Sequence, residues 1–234
     1  MALHFGAHPT VTRFLKGVFE SRPTVSRYTE TWDVGTVLRH LKTIPTTRDV
    51  PLKDLTLKTV VLMSLVSAQP GQTIHMLNLE DMTSTESQIT FVMSKPIKQT
   101  KPGTKSVHVQ FTSYPADPLL CVVTTLREYL ARANELRGQC KQVFISYLKP
   151  FRPVSRSTIS RWVKVVMKEA GINVDKFKPH SPRSTSTSKA SLCSVPLDQI
   201  MSAAGWSSAT TFARFYNKPI DVNNGFADSI LSLK

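Results

Sequence analysis

A histidine and an arginine lie three residues apart in segment 178–184, which reads KPHSPRS. One helical turn would place His180 and Arg183 on the same face. A guanidinium donates two directed hydrogen bonds to phosphate oxygens, and a neighbouring imidazole can donate or accept a proton. The pair therefore suits chemistry at a phosphodiester. Taken alone, a helix-capping histidine beside an ordinary surface arginine is the simpler interpretation.

A second cluster of candidate residues lies nearer the C-terminus. Gly205 and Trp206 precede the segment TFARFY, which ends at Tyr216, ten residues after the tryptophan. A tyrosine phenolate is a nucleophile, but the ordinary phenol pKa of about 10 means that another group must help to remove the proton. Because Phe212 lies four residues before Tyr216, a buried aromatic role for the tyrosine is the alternative.

These motifs, in this order and at this spacing, resemble the active-site signature of the tyrosine recombinases, the phage integrase-like superfamily. The resemblance spans about 52–220, and the flanking segments SRWVKVVMKEAGI and TFARFYNKPI most resemble recombinases of animal mobile elements, including DIRS-type retroelements. It implies a mainly α-helical fold with a small antiparallel β-sheet (α+β), which is the catalytic core fold of that superfamily.

The resemblance also implies a role for each candidate residue. Tyr216 would attack the phosphorus and form a 3′-phosphotyrosyl link, which conserves the bond energy for religation without ATP, metal or another cofactor. Arg183 would bind non-bridging oxygens of the pentavalent transition state. His180 would take part in proton transfer, and Trp206 would hydrogen-bond the phosphate or pack beneath it.

A lysine completes the implied catalytic set. Lys101 lies in the strongly basic loop Lys95–Lys105 and matches the family's lysine that protonates the departing 5′ oxygen. Lys98 and Lys105 are rivals for this role. An ordinary solvated basic turn is the alternative interpretation of the loop.

One position departs from the family pattern. Members carry a further essential arginine after the first long helix, whereas segment 67–73 of this chain reads SAQPGQT and places Pro70 in that column. Proline has neither a side-chain donor nor a backbone N–H. Loss of one preorganised charged donor typically costs about 10²-fold to 10³-fold in rate, and a phosphate-binding arginine can be worth about 10³-fold to 10⁵-fold. Severe impairment is therefore expected. Arg48 or Arg152 could replace the missing arginine, and Pro182 is a second unusual residue.

Hydrophobic patterns indicate the elements that must position these residues. Residues 52–68 are typical of a buried helix, and alternation at 89–93 and 107–111 predicts a β-hairpin. Further helices are predicted at 11–20, 118–138, 157–170, 196–204, from 207 or 208 through Tyr216, and at 226–233.

Breaks in the pattern also predict the domain organisation. Proline-containing turns, including Pro45–Pro51, separate an N-terminal region from the rest of the chain. We interpret residues 1–48 as the remnant of the helical core-binding domain with which the family grips DNA, and 49–234 as the catalytic domain. So short a remnant leaves DNA affinity to the basic catalytic face, which makes binding salt-dependent and weakly sequence-specific.

The composition favours a polyanionic partner. Thirty Lys and Arg residues against 16 Asp and Glu residues give a formal net charge of +14, and double-stranded DNA is the expected partner rather than a membrane or a small-molecule substrate. The three cysteines are widely spaced, so neither a disulfide framework nor a zinc site is indicated. The strongest apolar stretch, Thr59–Val66, is too short to span a bilayer. We expect an intracellular protein, nuclear in a eukaryote.

Two functions remain open at this point. The first is a strand-exchange enzyme that assembles as a tetramer on DNA by exchanging the helix beyond Tyr216. The second is a catalytically inactive DNA-binding module, either domesticated or decaying, that keeps the recombinase fold. A protein-interaction scaffold unrelated to DNA is a third hypothesis, which requires the basic excess to be incidental.

Overall fold

A computed structural model describes residues 8–22, 28–94 and 107–221 of the chain. Helices dominate these ranges, and the three central strands form an antiparallel sheet, which confirms the predicted α+β class. The elements follow in this order: α1 (Pro9–Ser21), β1 (Thr31–Trp32), α2 (Val34–Lys42), α3 (Leu52–Ser67), α4 (Gly71–Met76), β2 (Met82–Thr85), β3 (Gln88–Val92), β4 (His108–Thr112), α5 (Val122–Asn134), α6 (Arg156–Glu169), α7 (Ser181–Leu192), α8 (Leu197–Ala204), α9 (Ala209–Phe215) and β5 (Ile220–Asp221).

Helix α3 is the centre of the hydrophobic core. Its side chains are buried almost all round, as a helix surrounded by other elements requires, and it packs against α5, α6, α7 and β4. The helix ends at Ser67 because Ala68 adopts the left-handed conformation, with a φ of 49°. The predicted helix at 52–68 is confirmed, and its end delivers the chain to Pro70.

The antiparallel sheet contributes buried side chains to the core. In the β3–β4 pair, Ile89 lies opposite Phe111 and Phe91 opposite Val109, and all four side chains are buried. The predicted hairpin is therefore confirmed. Strand β2 was not predicted because its MTST sequence is mostly exposed and lacks an apolar alternation. The connecting loop, with Lys101 and its two rivals, lies outside the described residues.

The middle helices begin later or end earlier than the patterns suggest. The region predicted as one helix at 118–138 consists of a 3-10 turn capped by Asp117, followed by α5. The two are separate because Cys121 has an extended ψ of 107°. Helix α6 agrees with its prediction, and Ser155 caps it by accepting a hydrogen bond of 3.2 Å from the Thr158 amide.

The N-terminal region contributes to the same core. Trp32 and two residues of α2, Val37 and Leu41, are buried within it. Strand β1 pairs in parallel with β5, so Thr31 lies opposite Ile220. Helix α2 was not predicted, and the helix expected at 226–233 lies outside the described residues. The derivation of residues 1–48 from a core-binding domain stays a prediction.

One cation lies inside the core. Lys58 of α3 is fully buried, and its ammonium group donates a hydrogen bond to the backbone carbonyl of Ile44. Burial lowers the pKa of Lys58 from 10.5 to about 8, although the negative charge of Asp117 opposes the shift. Between these two pH values the unfolded chain holds a proton that the folded chain has lost, so this group's contribution to the free energy of unfolding rises with pH.

We therefore expect Lys58→Met to remove part of the pH dependence of stability. Urea unfolding at about pH 7.5 and pH 10 should show wild type gaining roughly 1 kcal/mol relative to the variant at the higher pH. Lys53→Met, at an exposed position of the same helix, is the matched control and should leave the pH dependence unchanged. Parallel pH profiles for wild type and Lys58→Met would contradict the assignment.

Candidate active site

Helix α7 carries both basic candidates of the first motif. His180 is its N-cap residue and Arg183 its third residue, so the expected relation across one helical turn is present. The hydrophobic patterns did not predict this Ser/Thr-rich helix. Pro182 occupies the first turn, where no intrahelical N–H is required, so it is compatible with helix initiation at this point.

Arg183, Trp206 and Tyr216 form one cluster. The guanidinium carbon of Arg183 lies 4.5 Å from the centroid of the Trp206 ring and 5.4 Å from that of the Tyr216 ring. The two ring centroids are 4.3 Å apart, and Phe212 packs against the tryptophan at 5.7 Å. Cation–π attraction and ring packing therefore hold the arginine beside the tyrosine.

A hydrogen bond orients the Arg183 side chain, which stays charged despite its burial. Its Nη2 donates a 2.7 Å hydrogen bond to the carbonyl of Ala204, the last residue of α8. Its Nε is buried and has no hydrogen-bond partner within the described part of the chain. Burial lowers the pKa of Arg183 to about 10, with the neighbouring Tyr216 acting in the opposite direction. The side chain thus remains a cation at neutral pH.

Tyr216 lies immediately beyond a helix rather than within it. Helix α9 ends at Phe215, one residue before the predicted end, and Tyr216 has a non-helical backbone. Its carbonyl accepts hydrogen bonds from two hydroxyls of α7, Ser188 at 2.7 Å and Ser184 at 3.3 Å. Sequence reasoning missed both serines. Their spacing of four residues on a polar helix was the available signal.

His180 lies at the exposed edge of the site and contacts Tyr28. The Tyr28 hydroxyl is 3.4 Å from Nε2 of His180, and the two rings stack with centroids 5.8 Å apart. The same hydroxyl accepts a 2.9 Å hydrogen bond from the Lys178 amide. Sequence reasoning did not identify Tyr28, because a contact over 152 residues leaves no local pattern.

Two residues of β1 bind helix α7 through their side chains. The indole N–H of Trp32 donates to Ser181 at 2.9 Å, and the hydroxyls of Thr31 and Thr185 contact each other. Since β1 also pairs with β5, this short segment joins the start of α7 to the chain that follows Tyr216.

Pro70 is linked to the arginine cluster through its sequence neighbour Gln69. It is the N-cap residue of α4 and is partly buried. The side-chain amide of its neighbour Gln69 donates a 2.7 Å hydrogen bond to Ala203, directly before the Ala204 carbonyl that binds Arg183. Pro70 therefore directly follows a residue that binds the same helix end as Arg183.

Lys101, Arg48 and Arg152 are the other candidate cations. Lys101 lies outside the described residues, and its assignment stays a prediction. Arg48 and Arg152 are exposed, and their proposed substitution for the missing arginine stays a prediction as well. Within the described ranges, no helix has the length and apolar character needed to cross a membrane.

Comparison with known proteins gives a family and a fold. Residues 44–221 match the model of the phage integrase family. The crystal structure of XerA recombinase has a TM-score of 0.62 at 17% identity, covering 91% of this chain and 66% of that chain. No curated protein matches.

Two structures with DNA have the same fold. The pre-cleavage complex of XerH site-specific recombinase bound to difH substrate has a TM-score of 0.59 at 14% identity, over 78% of this chain and 48% of that chain. The Tn1549 transposon integrase bound to transposon right end DNA has a TM-score of 0.56 at 13% identity, over 83% and 62%. This chain thus spans about half the length of XerH.

We expect Trp206→Ala to destabilise the protein, because the ring packs on Arg183, Phe212 and Tyr216. The free energy of unfolding should fall by about 2 kcal/mol, less than for a fully buried tryptophan, and Trp206→Phe should lose about half as much. Urea unfolding measures both values. A Trp206→Ala protein as stable as wild type would show that the cluster does not form in solution.

Proposed function

We propose that this chain, which belongs to the phage integrase family, breaks and rejoins double-stranded DNA through a 3′-phosphotyrosyl intermediate on Tyr216. The observation that carries the proposal is the Arg183–Trp206–Tyr216 cluster, because an arginine, which can bind phosphate, contacts a tyrosine, which can act as a nucleophile. Among its structural neighbours, XerH and the Tn1549 integrase are complexes with DNA.

The proposed reaction conserves one phosphodiester bond at each step. The Tyr216 oxygen attacks the phosphorus and loses its proton to His180, the bond to the 5′ oxygen breaks, and that oxygen receives a proton from Lys101. Arg183 binds the non-bridging oxygens as their charge develops, and it faces the tyrosine ring as well. His180 takes part in proton transfer, and Trp206 supports the guanidinium from beneath. Religation reverses these steps.

Pro70 is expected to weaken this reaction. One phosphate-binding arginine is missing, and Arg183 is the cation that the described structure places against Tyr216. The binding of DNA depends on many basic residues and is less sensitive to the loss of one. A chain that binds DNA but cleaves slowly, or not at all, is therefore the alternative outcome.

We further propose assembly on DNA as a tetramer through the segment beyond Tyr216, and descent from an animal mobile element. The flanking segments SRWVKVVMKEAGI and TFARFYNKPI support that origin. In this proposal residues 1–48 derive from the core-binding domain, and a eukaryotic host would require the protein in the nucleus.

A suicide-substrate assay tests the proposed cleavage. A nicked duplex traps the covalent protein–DNA adduct, which is scored on a denaturing gel for wild type, Pro70→Arg and Tyr216→Phe. We expect Pro70→Arg to form adduct about 10²-fold to 10³-fold faster than wild type, because it restores a preorganised donor. Tyr216→Phe should form none. Pro70→Lys is a matched control that restores charge without the guanidinium fork.

The outcomes separate the two functions. Adduct in wild type means that the site tolerates Pro70. Adduct confined to Pro70→Arg identifies the proline as the cause of the lost cleavage activity. If Pro70→Arg also fails to form adduct at any pH, the strand-exchange proposal is wrong and a DNA-binding module is the better description.

DNA binding itself should be strongly salt-dependent. The net charge of +14 favours contacts to the phosphate backbone, so we expect affinity for a labelled duplex to fall about 10³-fold between 50 mM and 200 mM salt. Fluorescence anisotropy measures this change. Tyr216→Phe should bind as wild type does, and an absence of binding at the lower salt concentration would argue against either DNA function.

A further inference from the structure

We propose that Ser188, assisted by Ser184, is a positioning residue that holds the backbone of Tyr216 in place against Arg183. This inference rests on the proposed function, since it assigns the serine a purpose in the attack by Tyr216. Neither serine contacts the reacting atoms. Each acts through the backbone of the nucleophile.

The hydrogen bonds of Ser188 are directional and buried. Its side chain is fully buried, and its hydroxyl donates to the Tyr216 carbonyl at 2.7 Å while accepting from the Lys218 amide at 3.0 Å. Ser184 donates to the same carbonyl at 3.3 Å. A serine hydroxyl carries one proton, so Ser188 uses its donor on one side of the nucleophile segment and an acceptor site on the other.

Tyr216 needs such an anchor because its helix ends too early to hold it. Its amide still donates to Phe212 at 2.9 Å, but its φ of −127° and ψ of −24° lie outside the helix. A carbonyl beyond the last turn has no intrahelical donor. The seven-residue α9 offers little rigidity of its own. The two serines supply the missing donors.

The same helix also carries the phosphate-binding cation. Ser184 directly follows Arg183, and Ser188 lies one helical turn further along the face of Ser184. One rigid element thus sets the separation between the guanidinium and the backbone of the nucleophile. A misplacement of about 1 Å at a reacting centre can cost about 10²-fold in rate.

The test compares Ser188→Ala with Ser186→Ala, a matched control on the same helix. The Ser186 hydroxyl is also buried but has no hydrogen-bond partner within the described residues. Adduct formation on the suicide substrate is measured over a range of DNA concentrations, in the native chain and in Pro70→Arg. We expect Ser188→Ala to lower the rate at saturating DNA by about 10-fold to 100-fold, with the half-saturating DNA concentration unchanged.

Graded effects and a second readout complete the test. Ser184→Ala, which loses the longer hydrogen bond, should reduce the rate less, and Ser186→Ala should match its parent. Hydrogen exchange of the Lys218 amide needs no DNA. It should become about tenfold faster in Ser188→Ala, because that amide loses its acceptor, and should not change in Ser186→Ala.

The outcomes distinguish this inference from the proposed function. Equal adduct rates in Ser188→Ala and Ser186→Ala overturn the positioning role while leaving the function intact. Equal losses in both variants overturn it too, because they indicate a general sensitivity of α7. Absence of adduct in every protein, including Pro70→Arg, overturns the function and reduces Ser188 to a structural residue, which the Lys218 amide then still reports.

Discussion

Buried hydroxyl groups rarely lack hydrogen-bond partners, and five serine and threonine residues of helix α7 are buried: Ser181, Ser184, Thr185, Thr187 and Ser188. Each unsatisfied hydroxyl would cost about 1–3 kcal/mol, so the chain that packs on this face must offer polar groups rather than apolar side chains. Thr187 bonds within the helix, and the other four bind Thr31, Trp32 and the Tyr216–Lys218 segment. These hydrogen bonds fix the position of α7 relative to the Tyr216–Lys218 segment. Because Arg183 lies on the same helix, they also fix its position relative to Tyr216.

The end of α8 is the second fixed point. Carbonyls at a helix C-terminus carry partial negative charge and lack intrahelical donors, so they bind side-chain donors well. Ala203 accepts from Gln69 and Ala204 accepts from Arg183. Gly205 then adopts a left-handed conformation with a φ of 66°, which ends α8 and leads the chain to Trp206. This turn places Trp206 against the Arg183 side chain.

The parts of the structure that sequence reasoning predicted are those with a local pattern. Helix α3 is a long, mainly apolar run, and helix α6 and the β3–β4 hairpin have clear apolar periodicities. The motif spacings pointed to Arg183, Trp206 and Tyr216, which the structure brings into contact. Helix α7 escaped prediction as a helix because its buried face is polar, which removes the hydrophobic stripe that marks other helices. Tyr28 escaped because its partner is distant in the chain, and Ser188 because a backbone anchor has no composition signature.

The residue at position 70 affects the stability of the fold as well as the proposed reaction. Arg183 is already partly desolvated, which lowers its pKa, and its Nε is unpartnered within the described chain. A second guanidinium in the neighbouring column would add like-charge repulsion to a site that only a phosphate can neutralise. An enzyme keeps such a costly pair because the transition state rewards it, and functional sites are commonly destabilising for this reason. The proline at the N-cap position of α4 adds no second charge, and the Ala203 and Ala204 carbonyls keep their hydrogen bonds to Gln69 and Arg183. The Arg183–Trp206–Tyr216 cluster is therefore compatible with a proline at position 70.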